Sequence, residues 1–262
     1  MNLDLKGRTA IVCGSTQGIG WACAVELAEL GANIVLLSRN ETRLQQRVAA
    51  LPKSGDQIHR YLVADFLNPD GLKTLISHWT EQGNRAEILV NNTGGPASGL
   101  VTDSTLEEFR IAFNSHLLCS QILCQAIVPG MKSAEFGRII NVISIGAKTP
   151  IPGLGVSNTI RGAMANWGKT LAGELAPFGI TVNNMLPGLC WTSRLESLVQ
   201  EQAERAGQSP DAITSQMKTT IPAGRFGQPQ ELGAVVAFLA SPAAAYVNGI
   251  NIPVDGGLTP CL

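Results

Sequence analysis

The chain has 262 residues, 45% of them apolar and 15% charged, with a formal net charge of −1. That is enough for one large α/β domain or two small ones, with no sign of disorder. A balance so close to neutral argues against nucleic acid or an acidic membrane as the main partner, because both require a basic face.

The opening stretch, MNLDLKGRTAIVCG, enters a strand almost at once. It lacks the charged-then-apolar layout of a secretory leader, and no apolar run reaches membrane-spanning length. Short β-branched runs then alternate with helix-length segments. Strands are predicted at 9–14, 33–39, 60–66, 88–94, 138–144, 181–188 and 249–256. Each is nearly continuously apolar, as strands covered on both faces should be.

Helices are predicted at 18–30 closing at Gly31, 41–51 after the cap Asn40, 68–82, 105–131, 155–176 and 229–240. The alternation implies a single α/β domain, 1–262: a Rossmann-type doubly wound parallel sheet of about seven strands with helices on both faces. Residues 190–225 are polar, without a strand and too long for an ordinary connection. They are read as a substrate lid within the domain.

Six cysteines show no C-x-x-C pair, and three histidines are scattered. No metal site is expected, and buried thiols in a cytoplasmic protein are the simpler reading.

The first strand runs into the turn Gly14, Ser15, Thr16, Gln17, Gly18, Ile19, Gly20. Gly14 permits the tight bend, Gly18 lets backbone approach a pyrophosphate, and Gly20 lets the helix pack closely on the sheet. The helix N-terminus offers free N–H groups and partial positive charge to phosphates. At the end of the second strand stand Ser38 and Arg39 rather than an acid. A hydroxyl and a guanidinium fork suit a ribose 2′-phosphate, so NADP(H) is favoured over NAD(H).

With these features the chain resembles the short-chain dehydrogenase/reductases, in the branch of 3-oxoacyl-carrier-protein reductases. VADF with Asp65 and Phe66 is similar to that family's adenine contact. LVNNTGG, with Asn92, Thr93 and Gly94, is similar to its turn after the fourth strand. NNMLPGLCWTSRL places Pro187, Gly188 and Thr192 in register with the segment that meets nicotinamide, and the closing IPAGRFGQPQELGAVVAFLAS and GINIPVDGG match as well. The resemblance implies hydride transfer between nicotinamide and a carbonyl or alcohol carbon of a small molecule, and a homotetramer or homodimer.

It also implies a tyrosine four residues before a lysine, a serine thirteen residues before the tyrosine, and an asparagine on the preceding long helix. Aligned on ISIGAKTPIPGLGVSNTIRGAM, the serine is Ser144; Ser157 replaces the tyrosine and Arg161 the lysine, and His116 fills the asparagine position. Arg161 can still fork onto ribose hydroxyls. A phenol of pKa about 10 can be drawn toward neutrality by a cation, whereas a serine hydroxyl cannot.

Two readings stay open. One is a divergent oxidoreductase using Ser144, Ser157, Arg161 and His116, with His116 titrating in the useful range and Cys190 and Trp191 lining the pocket. The other is a catalytically silent NAD(P)-binding scaffold or sensor. The long helices 105–131 and 155–176 are apolar on more than one face, which suggests contact with another subunit.

Overall fold

The computed structural model describes residues 1–261. Seven strands, β1 (Thr9–Cys13), β2 (Asn33–Ser38), β3 (Arg60–Val63), β4 (Ile88–Asn91), β5 (Gly137–Val142), β6 (Ile180–Pro187) and β7 (Asn251–Val254), form one sheet. It runs in the order β3-β2-β1-β4-β5-β6-β7, with all pairings parallel. The chain reverses direction across the sheet between β1 and β4. In doubly wound sheets ligands bind in the crevice at that point.

The helices are α1 (Gly18–Glu29), α2 (Glu41–Ala50), α3 (Pro69–Glu81), α4 (Leu106–Phe113), α5 (Cys119–Ser133), α6 (Gly155–Leu175), α7 (Ser193–Ala206), α8 (Pro210–Thr219) and α9 (Pro229–Ala240). Strand side chains alternate between two buried layers. Val12, Leu36, Val90 and Ile140 pack with Leu27 of α1 and Val236 of α9. Ile11, Leu37, Leu89 and Ile139 pack with Ile76 of α3 and Leu123 of α5. Each such side chain contributes about 1.5–3 kcal/mol when fully buried. α1 and α9 approach closely because Gly233 carries no side chain; a Cβ there would stand 3.0 Å from the Ala22 carbonyl oxygen.

Several strands end earlier than the sequence predicts, and the released residues form the rim of the crevice. After β3, the Asp65 carboxylate accepts from the Leu67 backbone N–H at 3.0 Å and turns the chain. After β4, the Asn92 side chain donates to the Cys13 carbonyl at 3.2 Å, tying that loop to the end of β1.

The helix predicted at 105–131 runs from Leu106 to Ser133 but contains a π-helical turn, Asn114–Leu118. The Ser115 and Ser120 hydroxyls donate to the Ile111 and His116 carbonyls at 2.8 and 2.6 Å, supporting backbone that the wider turn disturbs. Against expectation, the stretch Leu106–Ser133 is long enough to cross a membrane and contains an 18-residue window of mean hydropathy 1.4. Its apolar residues Leu123 and Ile127 are buried against the sheet and α3 instead.

Residues 190–225 fold as the helical pair α7 and α8, and Leu195, Val199, Ala203, Ile213 and Ile221 of this segment form a small cluster with the adjoining Phe226.

A row of asparagines crosses the buried sheet. Asn91 pairs in register with Asn141, Asn141 with Asn184 and Asn184 with Asn251. Their amides bond head to tail, each nitrogen donating to the next oxygen, at 2.9, 2.8 and 2.8 Å.

Candidate active site

The glycine turn is shaped by close contacts. Gly14 and Gly18 adopt φ of +57° and +56°, where a side chain is strained. A Cβ on Gly20 would fall on the Gly14 carbonyl and 2.7 Å from Asn92 Nδ2. Gly14 N–H donates to the Leu37 carbonyl at 2.9 Å, and the Leu37 N–H donates to the Ser15 hydroxyl at 3.1 Å. The turn and the end of β2 are therefore one platform, and the fully buried Ser15 side chain serves that platform rather than the crevice.

α2, α3 and α4 are capped by the side chains of Asn40, Asn68 and Thr105. The first turn of α1 has no side-chain cap and no acidic residue. Its N–H groups are left for an anion, which is the environment a pyrophosphate needs. The glycine cradle and the open helix end fit a dinucleotide.

The start of α7 lies against the glycine turn. Gly18 faces Thr192, whose Cγ2 would lie 3.3 Å from a Cβ at that glycine. Gln17 Nε2 donates to the Ser193 hydroxyl at 3.2 Å, and Arg194 Nη2 donates to the Pro96 carbonyl at 2.9 Å. The Gly188 N–H is held by the Val254 carbonyl at 3.1 Å. Trp191 stacks on Phe226 with centroids 5.4 Å apart. Burial pushes the Cys190 thiol up to about 12, so it is no nucleophile.

At the other end, Ser144 follows β5 and Ser157 and Arg161 lie one turn apart on α6. The Ser144 hydroxyl accepts from the Gly146 N–H at 3.0 Å, which leaves its own proton free to donate. Asn158 fixes the intervening loop by accepting from the Ile151 N–H and donating to its carbonyl, at 3.1 and 2.9 Å. The Ser157 hydroxyl has no protein hydrogen-bond partner among the described residues.

Arg161 is 7% exposed. Its Nη1 donates to the Val142 carbonyl at 3.1 Å, its Nε has no partner, and among the described residues it makes no ion pair. Burial lowers its pKa to about 10, so it remains a cation at neutral pH.

His116, on the π-helical turn, is 2% exposed with Nε2 unpartnered. Burial first, and the Arg161 charge second, hold its pKa well below the usual histidine range, against a weaker pull from the Gly94 backbone. This corrects the expectation that it titrates near neutrality: the imidazole is neutral. Both tyrosines lie outside α6, Tyr61 on β3 and Tyr246 between α9 and β7. Tyr61 donates to Glu41 at 3.1 Å and accepts from Gln45 at 3.2 Å beside α2, and Tyr246 is fully exposed.

Sequence reasoning missed Arg43 and Arg47 of α2, which touch the glycine turn, and Arg194. Ser38 is half-buried, Arg39 exposed, and Asp65, Thr93 and Gly94 sit on the rim.

This fold and this turn define a Rossmann-type protein with a phosphate-accepting crevice at its switch point. A family model described as enoyl-(acyl carrier protein) reductase matches residues 14–259. The chain is 32% identical over 256 residues to 3-oxoacyl-[acyl-carrier-protein] reductase FabG of Vibrio cholerae, covering 98% of this chain and 99% of that protein. It is also 32% identical over 256 residues to a tropinone reductase homologue of Arabidopsis thaliana, covering 98% and 92%. L-Sorbose reductase from Gluconobacter frateurii, solved with NADPH and L-sorbose, superposes with a TM-score of 0.93 at 29% identity over the full length of both chains. The chain belongs to the short-chain dehydrogenase/reductase family, with FabG-like relatives.

Proposed function

We propose that the protein is an NADP(H)-dependent oxidoreductase that transfers hydride between nicotinamide and a carbonyl or alcohol carbon, working without the family's tyrosine and lysine. One observation carries this reading over a silent scaffold: the buried Arg161 guanidinium has no carboxylate partner among the described residues. Burying an unpaired cation costs several kcal/mol, roughly, and a scaffold gains nothing from it. A site in which negative charge develops on a substrate oxygen does.

The nicotinamide, when bound, supplies or accepts the hydride. Gly14, Gly18, Gly20 and the α1 N-terminus hold the pyrophosphate, Ser38 and Arg39 face the adenosine end, and Pro187, Gly188 and Thr192 meet the nicotinamide side. Ser144 donates to the substrate oxygen, Ser157 gives a second hydroxyl, and Arg161 supplies charge there and at the ribose. Serine is too weak an acid and His116 is neutral, so water or the substrate supplies the proton, with His116 able to hold that water. Losing a general acid forfeits about 10² to 10⁴ in rate, so turnover is slow. Nicotinamide absorbance against a panel of carbonyls and alcohols tests this. No turnover with any compound, from protein shown to bind cofactor, overturns it.

The same reading makes the protein a cytoplasmic homodimer or homotetramer. Support for the assembly comes from Ile111, Phe113 and Leu118, which are 45%, 40% and 37% exposed along one helical stretch. Light scattering of the protein beside Phe113→Glu checks the assembly; a monomeric parent refutes it.

A further inference from the structure

Arg39, Arg43 and Arg47 stand at four-residue intervals from the end of β2 along α2. Arg39 precedes the N-cap Asn40, while Arg43 and Arg47 are neighbours on one face of α2, where like charges are unfavourable unless an anion joins them. None of the three makes an ion pair among the described residues. Two of them reach the glycine turn instead. Arg43 Nη1 donates to Gln17 Oε1 at 3.3 Å. Arg47 Nε donates to the Thr16 carbonyl at 2.9 Å, with its guanidinium 4.5 Å from the centre of the Trp21 ring.

Thr16, Gln17, Arg43, Gln46, Arg47 and Ala50 line a groove of about 520 Å³ between the turn and α2. The platform formed by Gly14, Ser15 and Leu37 joins this groove to the end of β2, where Ser38 and Arg39 lie.

We propose that Arg43 reads the 2′-phosphate of the cofactor, sharing it with Arg39, while Arg47 forms the fixed back wall of the groove. This rests on the NADP(H) reading above and names the residue that decides it. Arg39 is exposed and held by no hydrogen bond among the described residues. Arg43 is preplaced by a neutral amide oxygen, a partner that a phosphate oxygen replaces with a charge-assisted bond. Arg47 spends its Nε on Thr16 and its face on Trp21, so it orients the turn and adds charge without needing to move.

The test is calorimetric titration of the unmodified protein, Arg43→Gln, Arg43→Lys and Arg39→Gln with NADPH, NADH, 2′-AMP and 5′-AMP. Arg43→Gln should weaken NADPH and 2′-AMP by about 10-fold to 100-fold while NADH and 5′-AMP stay within about twofold. That retained NADH binding also shows the variant is folded. Arg43→Lys should fall between, since it keeps the charge and loses the fork. An unchanged NADPH-to-NADH ratio in Arg43→Gln, with the preference lost in Arg39→Gln, overturns the proposal and leaves the NADP(H) reading standing. Equal affinity of the unmodified protein for both dinucleotides overturns both.

Discussion

Arg161 hangs from the Val142 carbonyl by one hydrogen bond of 3.1 Å, and its Nε is enclosed without a partner. The guanidinium is thus pinned at one end and electrically uncompensated. Taking a lone cation out of water costs several kcal/mol, roughly, and an apolar side chain of similar size escapes that cost. Arg161→Met should therefore melt at or above the temperature of the parent while kcat/KM falls by about 10²-fold or more. A variant that loses stability and keeps its rate would assign Arg161 to the fold alone.

Restoring the family's acid should raise the rate. Ser157→Tyr with Arg161→Lys supplies a phenol whose pKa a neighbouring ammonium can lower. Reduction of a ketone that the parent turns over slowly should quicken by about 10²-fold or more. A silent parent beside an active double variant would favour the scaffold.

His116 makes stability depend on pH in a fixed direction. Its folded-state pKa lies well below the ordinary 6.5. The unfolded chain therefore takes up a proton near 6.5 that the folded chain refuses, and stability falls as pH drops below that value. His59, also depressed by burial, adds to the slope. Melting temperatures between neutral and mildly acid pH should decline less steeply for His116→Asn. Equal slopes in parent and variant would mean that His116 titrates normally.

The glycine cradle predicts opposite outcomes for two alanine substitutions. Gly20→Ala places a methyl group on the Gly14 carbonyl and should abolish dinucleotide binding. Gly173→Ala, in the interior of α6 with open space around it, should stabilise by about 0.5–1 kcal/mol with binding unchanged. Cofactor titration and thermal melts read both. Retained binding in Gly20→Ala would move the phosphate site elsewhere.

Much of this architecture is legible in the sequence, because doubly wound sheets write themselves as apolar runs separated by amphipathic ones. Asn40, Gly31 and the turn from Gly14 to Gly20 mark element ends by local chemistry alone. That α6 holds no tyrosine is legible as well, since Tyr61 and Tyr246 fall far from it in the chain. The π-helical turn is not, because Asn114–Leu118 contains no glycine or proline to mark it and its residue types do not differ from those of the flanking helices. Nor is the neutrality of His116, which depends on burial and on Arg161 packing near it. The row Arg39, Arg43, Arg47 is visible as spacing, but its destination depends on β1 and β2 being neighbours. Each asparagine within a strand reads alone as a residue that weakens it; only the pairing register shows four of them in line.

That line of amides gives the sheet a built-in alignment check. Four parallel, uniformly greasy strands could otherwise slide past one another at little penalty. A shift of one residue that set Met185 of β6 opposite Asn141 of β5 would turn Asn184 to the other face and leave the Asn141 amide without its partner, at about 1–3 kcal/mol for each unsatisfied group. The strand ends that carry Asn92, Ser144 and Pro187 arrive level with each other, and so the crevice is assembled correctly before any ligand enters it.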